Sequence, residues 1–233
     1  MSRLLALALA LSLAPVSLAL ADTLPVPPSQ FDPAELLPPP PRDGSLAAQA
    51  EMDELHRIAR SRTATQFAAA DRDDHMENPM AFAGVMGRRF DLANLPQTKK
   101  LLKTVVAEEK AAAKSAKNYF KRNRPWIVDP SLKACATDDA PRSSYPSGHS
   151  TMGYAVAVTL SKLSPEKAPA IMARASEFAE NRLVCSMHYR RDIEAGQTLG
   201  TLVAYTLLQT PDVKAQFAKA EQELRAAGIT HGL

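Results

Sequence analysis

From Ser45 to the C-terminus, Ala, Leu, Glu, Lys and Arg recur in helical spacing, and the alternating β-branched runs that strands require are almost absent. Glycine is scarce, nine in 233 residues. The pattern predicts an all-α domain, with helices over 46–70, 79–87, 95–121, 149–162, 165–183, 189–208 and 211–226. Ser164-Pro165 and Thr210-Pro211 each place a capping hydroxyl before a proline at the first helical position, where its missing N–H costs nothing. No internal repeat is visible. Glu108-Glu109-Lys110 and Lys99-Lys100 read as solvated helix faces.

What precedes the domain has another character. Arg3 is followed by an apolar and small run from Leu4 to Leu20, then Ala19-Leu20-Ala21 before Asp22. That order is expected of a secretory signal cleaved after residue 21, with a membrane anchor as the competing reading. From Leu24 to Pro41 eight prolines fall, four of them consecutive, so residues 22–44 are expected to form an extended, non-helical arm ahead of a domain spanning 45–233. No later stretch is long and apolar enough to span a membrane.

Charge gives no mandate for nucleic acid or an anionic membrane: 28 basic residues face 25 acidic ones, and 27 without Arg3. Two cysteines, Cys135 and Cys185, form an even set in an exported chain and are a candidate disulfide. Two thiols so far apart do not suggest structural zinc.

Three segments could build one anion site. In AKSAKNYFKRNRPW, Lys117 and Arg124 lie seven residues apart, a spacing that puts them on one side of a helix ended by Pro125; the alternative is a basic helix terminus, which fits Lys114, Lys121 and Arg122 better. In SYPSGHSTMGYAVAVTL, Ser147, Gly148 and His149 open an apolar helix whose N-terminal N–H groups could hold a phosphate; the alternative is Ser147 as an ordinary N-cap and His149 as an exposed first-turn residue. In ENRLVCSMHYRRDIEAG, Arg182 precedes His188 and Asp192, four residues apart, so the carboxylate could orient the imidazole, or the two could be a pair on a wet helix face. His56, His75 and His231 have no comparable partners in sequence and read as surface residues.

In order and spacing these segments resemble the signature of the type 2 phosphatidic acid phosphatase superfamily, K-x6-RP, PSGH and SR-x5-H-x3-D, with Asn181 standing where the family has Ser. Within it, the LLPPPP motif, the signal and the length are similar to the bacterial class A nonspecific acid phosphatases. The resemblance implies a compact multi-helix bundle, a periplasmic address, a homo-oligomer, and broad hydrolysis of small phosphomonoesters without metal or cofactor. It assigns His188 as nucleophile, His149 as general acid and Asp192 as orienter, with Lys117, Arg124, Ser147, Gly148 and Arg182 binding phosphate. Neighbouring charges would have to keep His149 protonated and His188 not. Two rivals share the same residues: a vanadium-dependent haloperoxidase and a secreted helical module that only binds phosphate or a partner. A dedicated lipid substrate fits less well, since lipid phosphatases of the superfamily carry several membrane helices.

Overall fold

The computed structural model describes residues 25–231, and the signal segment lies outside them. No described helix is long and apolar enough to cross a membrane, and no strand occurs among the described residues. The helices are α1 (Pro33–Leu36), α2 (Leu46–Ser61), α3 (Ala64–Asp74), α4 (Ala83–Met86), α5 (Pro96–Phe120), α6 (Pro125–Val128), α7 (Gly148–Leu163), α8 (Ala168–Val184), α9 (Arg190–Leu207) and α10 (Pro211–Ala226), with 3-10 turns at Pro28–Phe31, Pro79–Phe82 and Pro165–Lys167.

Helix α7 is the axis of the bundle. Eleven of its sixteen residues are buried, and it packs on α9, α8 and α5, so unlike a surface helix it is buried over most of its circumference. Its approach to α9 depends on two glycines. A Cβ on Gly200 would lie 2.2 Å from the Thr151 carbonyl oxygen, and one on Gly196 would lie 2.7 Å from that of Ser147. Only hydrogen fits there, and the two backbones come together at the turn that opens α7.

Several expected boundaries shift for local reasons. The stretch 46–70 is two helices, because Thr63 accepts from the Gln66 N–H while the Gln66 side chain accepts from the Thr63 N–H, a capping box that starts α3 afresh and carries it to Asp74. The proline-rich arm does contain helix: Pro28 and Pro33 each occupy the first position of a short turn, where proline is tolerated, and Asp32 caps α1 through the Ala34 N–H. Val26, Phe31 and Leu37 of the arm are buried in the main core, and the Tyr145 hydroxyl donates to the Pro38 carbonyl. Pro165 and Pro211 do open turns, but Ser164 makes no cap and the Thr210 hydroxyl donates back to the Leu207 carbonyl. Cys135 and Cys185 are joined by a disulfide. It fastens the loop after α6 to the end of α8, and Cys185 and Met187 pack with Ala70 and Trp126 in a small core of their own.

Candidate active site

The three segments converge on a cavity of about 290 Å³ bordered by Lys117, Arg124, Gly148, His149 and His188, with Glu77, Glu109, Lys110, Lys114, Asp139 and Ser143 also in the wall. Arg182, Ser147 and Asp192 stand behind that wall, each no more than 1% exposed.

The first segment is not one continuous helix. Helix α5 ends at Phe120, Lys121 turns left-handed at φ 49°, and Arg124 is an extended residue ahead of α6. Lys117 and Arg124 therefore meet across a turn and not along a helix face, joined through Ser143: Lys117 Nζ donates to its carbonyl at 2.5 Å and Arg124 to its hydroxyl at 3.2 Å. Burial, and next the Arg124 charge, lower the Lys117 pKa to about 7. Arg124 also meets Asp139 at 2.9 Å.

Ser147 caps α7, its hydroxyl accepting from the Ser150 N–H at 3.3 Å. Its own N–H is given to the Asp192 carbonyl at 2.9 Å. The amides that remain to meet an anion are those of Gly148 and His149, at the first two helical positions, which have no intrahelical acceptor. Beyond them, a Cβ on Gly148 would reach Glu77 Oε1 at 2.9 Å.

His188 lies just before α9, not within it. Tyr189 is the N-cap and Asp192 sits at N3, where its carboxylate accepts the Tyr189 N–H at 2.9 Å. The residue ahead of Met187, Ser186, is held left-handed at φ 54°, a conformation costly for a residue with a Cβ. There its hydroxyl accepts from Arg62, and the Met187 carbonyl accepts from Arg124 at 3.1 Å. The imidazole is oriented from both ends. Its Nδ1 stands 3.4 Å from Asp192 Oδ2, longer than a good hydrogen bond, and its Nε2 receives an Arg124 N–H at 2.9 Å. A donor at Nε2 requires a lone pair there, so the proton belongs on Nδ1, facing the carboxylate.

His149 has the opposite tautomer. Its Nε2 lies 2.9 Å from the Asp74 carbonyl oxygen, which can only accept, so this nitrogen carries a proton and Nδ1 is left facing the cleft, 3.7 Å from Glu77 Oε1. Asp74 also meets Arg182 at 2.5 Å, tying the third cation to the general-acid candidate. Burial, then Arg124 for His188 and Arg182 for His149, hold both imidazoles well below their ordinary pKa. Both imidazoles therefore shift in the same direction.

Sequence reasoning missed the residues that hold Asp192. Arg122, read as a solvated helix terminus, is 6% exposed; it donates to Asp192 Oδ1 at 2.6 Å and to Glu51 at 2.5 Å, and stacks over Tyr189 with its guanidinium carbon 4.0 Å from the ring centroid. The Ser144 hydroxyl donates to Asp192 Oδ2 at 2.5 Å. Burial pushes the Asp192 carboxyl upward, but Arg122, His188 and Ser144 together overcome it and hold the group below the usual carboxylate range. Glu108 and Glu109, read as solvated, are 1% and 3% exposed, whereas Lys99 and Lys100 are exposed as expected. His56 is paired after all, with Asp129 at 2.9 Å; His75 bonds the Asp71 carbonyl of its own helix. Asn181, at the one departure from the signature, donates to Asp73 at 2.7 Å.

Known proteins are similar to this chain in sequence. Residues 101–215 match the PAP2 superfamily. Over 204 residues the chain is 33% identical to an acid phosphatase of Zymomonas mobilis, covering 84% of this chain and 76% of that one. It is 31% identical to the non-specific acid phosphatase of Providencia stuartii over 83% of this chain and 81% of the relative, and 31% identical to that of Salmonella typhimurium over 81% and 78%. With the cation cluster, the helix-end amides and the two oppositely protonated imidazoles in one cleft, this likeness over most of both chains places the protein in the PAP2 superfamily, among the bacterial non-specific acid phosphatases.

Proposed function

We propose that the protein hydrolyses small phosphomonoesters through a phosphohistidine on His188. The observation that carries this reading is the pair of tautomers: His188 holds a lone pair on Nε2 at the cleft, and His149 turns Nδ1 into the same cleft with Nε2 engaged by Asp74. Arg124 donates an N–H to the His188 Nε2 lone pair and redirects that hydrogen bond to a phosphoryl oxygen when substrate enters. Nε2 then attacks phosphorus in line, the P–O ester bond breaks, and a proton on His149 Nδ1 goes to the departing alkoxide. Water, deprotonated by the same His149 nitrogen, cleaves the P–N bond and releases phosphate. Asp192 holds the imidazole while it carries positive charge.

Lys117, Arg124 and Arg182, with the Gly148 and His149 amides, neutralise the equatorial oxygens, a task that metal ions perform in other phosphoryl-transfer sites. Full activity in chelator is the corresponding expectation. An incoming phosphate dianion reverses the field that lowers His149, so the general acid gains its proton as the complex forms. The N-terminal pattern supports export to the periplasm with cleavage after residue 21, and the family supports assembly into homo-oligomers. His188→Ala should abolish turnover of a chromogenic phosphate ester, and acid quench of the native enzyme with a labelled substrate should trap label on His188. A His188→Ala variant with near-native hydrolysis ends this reading.

A further inference from the structure

The cleft has a second charged wall that phosphoryl transfer leaves unused. Glu109 projects from α5 eight residues, about two turns, before Lys117, so both lie on the cavity side of the helix. It is 3% exposed, borders the cavity, and its side chain makes no hydrogen bond or ion pair with any described residue. Glu77, from the loop after α3, borders the same space, with Oε1 3.7 Å from His149 Nδ1.

We propose that Glu109 and Glu77 form an ammonium subsite on the leaving-group side of the phosphate cradle, giving the enzyme a preference for phosphomonoesters of amino alcohols over neutral esters of equal size. This rests on the phosphatase reading of the site. The His149 nitrogen that serves the leaving oxygen is Nδ1, because Nε2 is held by Asp74, so the leaving alcohol must lie beside Glu77. A buried carboxyl with no partner is costly. On its own helix Glu109 has Lys110, Lys114 and Lys117, all three bordering the cavity; the first two are exposed at its rim and the third is bonded to Ser143. Across the cleft stand Glu77 and Asp139, with His149, His188 and Arg124 at the phosphate end. Burial, with the Glu77 charge adding to it, pushes the Glu109 carboxyl well above the usual range, against Lys110 and Lys117. A substrate hydroxyl could share a hydrogen bond there but would leave the charge repulsion in place. An ammonium two carbons from the ester oxygen supplies three donors and a directly hydrogen-bonded positive charge at once, which none of the wall lysines gives Glu109.

The test compares kcat/KM of the full chain for ethanolamine phosphate and ethylene glycol monophosphate between pH 4 and 8. The ratio should favour the amine by about tenfold, the worth of a hydrogen-bonded charge, and should rise with pH as Glu109 gives up its proton. Taking the ratio cancels Lys117 and the histidines, which act on both esters alike. Glu109→Gln, nearly isosteric, should bring the ratio toward one and remove its pH dependence, and Glu77→Gln at its half-exposed position should lower it in part. A native ratio near one, which needs no variant to measure, overturns the subsite while leaving the phosphatase standing. So does an undiminished ratio in both variants. Hydrolysis of neither ester, nor of a chromogenic one, overturns the phosphatase reading and the subsite with it.

Discussion

Arg122 and Asp192 form a buried ion pair at 2.6 Å, with the two side chains 4% and 0% exposed, and this pair is what makes the carboxylate beside His188 a fixed point. Asp192 Oδ1 belongs to Arg122, while Oδ2 is shared by the Ser144 hydroxyl, the Tyr189 N–H and His188 Nδ1. The Asp192 main-chain carbonyl at the same time holds the Ser147 N–H at the start of α7. One residue thus sets the position of the His188 imidazole and of the helix end that opens α7. Its guanidinium partner does not itself border the cavity that holds His188.

Breaking this pair should therefore cost stability and catalysis together. Arg122→Met leaves a buried carboxylate without its main counter-charge, and removing one partner of such a pair costs about 3 to 5 kcal/mol. Urea unfolding at pH 7 should show a loss in that range, with kcat falling more than KM rises because the imidazole, not the cation cluster, loses its support. Combining it with Asp192→Asn should cost clearly less than the two single changes added, since both remove one interaction. Full additivity would mean that the pair is not a unit.

The same carboxylate gives stability a defined acid limb. Its folded pKa lies below that of the unfolded chain, about 3.9 for an aspartate, so the unfolded state binds the proton first. The stabilisation from Asp192 is fully present above about pH 4 and is lost as pH falls through the folded value. Mildly acidic conditions therefore leave the pair intact. Equilibrium unfolding from pH 6 down to 2 should show, on top of the decline that the two buried histidines cause from about pH 6.5, a further fall below about pH 4 that is shallower in Asp192→Asn than in the native protein; equal slopes below pH 4 would assign that limb elsewhere.

Three glycines should separate packing from chemistry. A Cβ at Gly200 meets fixed backbone at 2.2 Å, so Gly200→Ala should force α7 and α9 apart and destabilise by about 1 to 3 kcal/mol or more, as overpacked cores do. At Gly196 the clash is with the Ser147 carbonyl oxygen and Ser150 Cβ, so Gly196→Ala should also displace the anion-facing turn and lower kcat/KM. Gly148 differs, because its Cβ would meet only the end of the Glu77 side chain, which is half exposed. Gly148→Ala should melt near the native temperature while KM rises. Melting curves beside steady-state kinetics check the pattern, and a strongly destabilised Gly148→Ala would contradict it.

Much of this molecule could be read in the chain itself. The long helices from Pro96 onward, though not the single turn Pro125–Val128, were legible because proline at first positions and apolar periodicity act locally, and the three anion-site segments were legible because each keeps its chemistry within a short span. Local rules also misled. Arg122 reads as a helix-end cation since nothing nearby in sequence reveals Asp192 and Glu51, about seventy residues away on either side. Lys117 and Arg124 share the site despite the helix ending between them, an outcome that spacing reaches for the wrong reason. Glu109 sits in a charged run that looks solvated until α5 is packed against the loop bearing Glu77. The direction of both histidine shifts depends on total burial and on cations from three segments, which no single segment discloses.

Phosphate should bind this site most tightly in acid, for reasons that can be counted. In the empty site Lys117 is lowered to about 7 by burial and then Arg124, so above that pH it enters the complex increasingly neutral and must take up a proton to hold the anion. His149 and His188 lie below their unfolded value of about 6.5; the unfolded chain therefore binds protons first, and the empty protein loses stability as pH falls below about 6.5. Bound phosphate raises all three and reverses that loss. At a concentration one hundred times Kd it stabilises by about 2.7 kcal/mol, and because Kd itself is smaller in acid, a fixed phosphate concentration should raise the melting temperature more at pH 5 than at pH 8. Lys117→Met should weaken inhibition by phosphate, lower kcat/KM by about 2.7 to 4 kcal/mol if the ammonium acts as a lost oxyanion donor does, and flatten the fall in affinity near pH 7. A melting shift as large at pH 8 as at pH 5 would show that these groups do not take up protons with the anion.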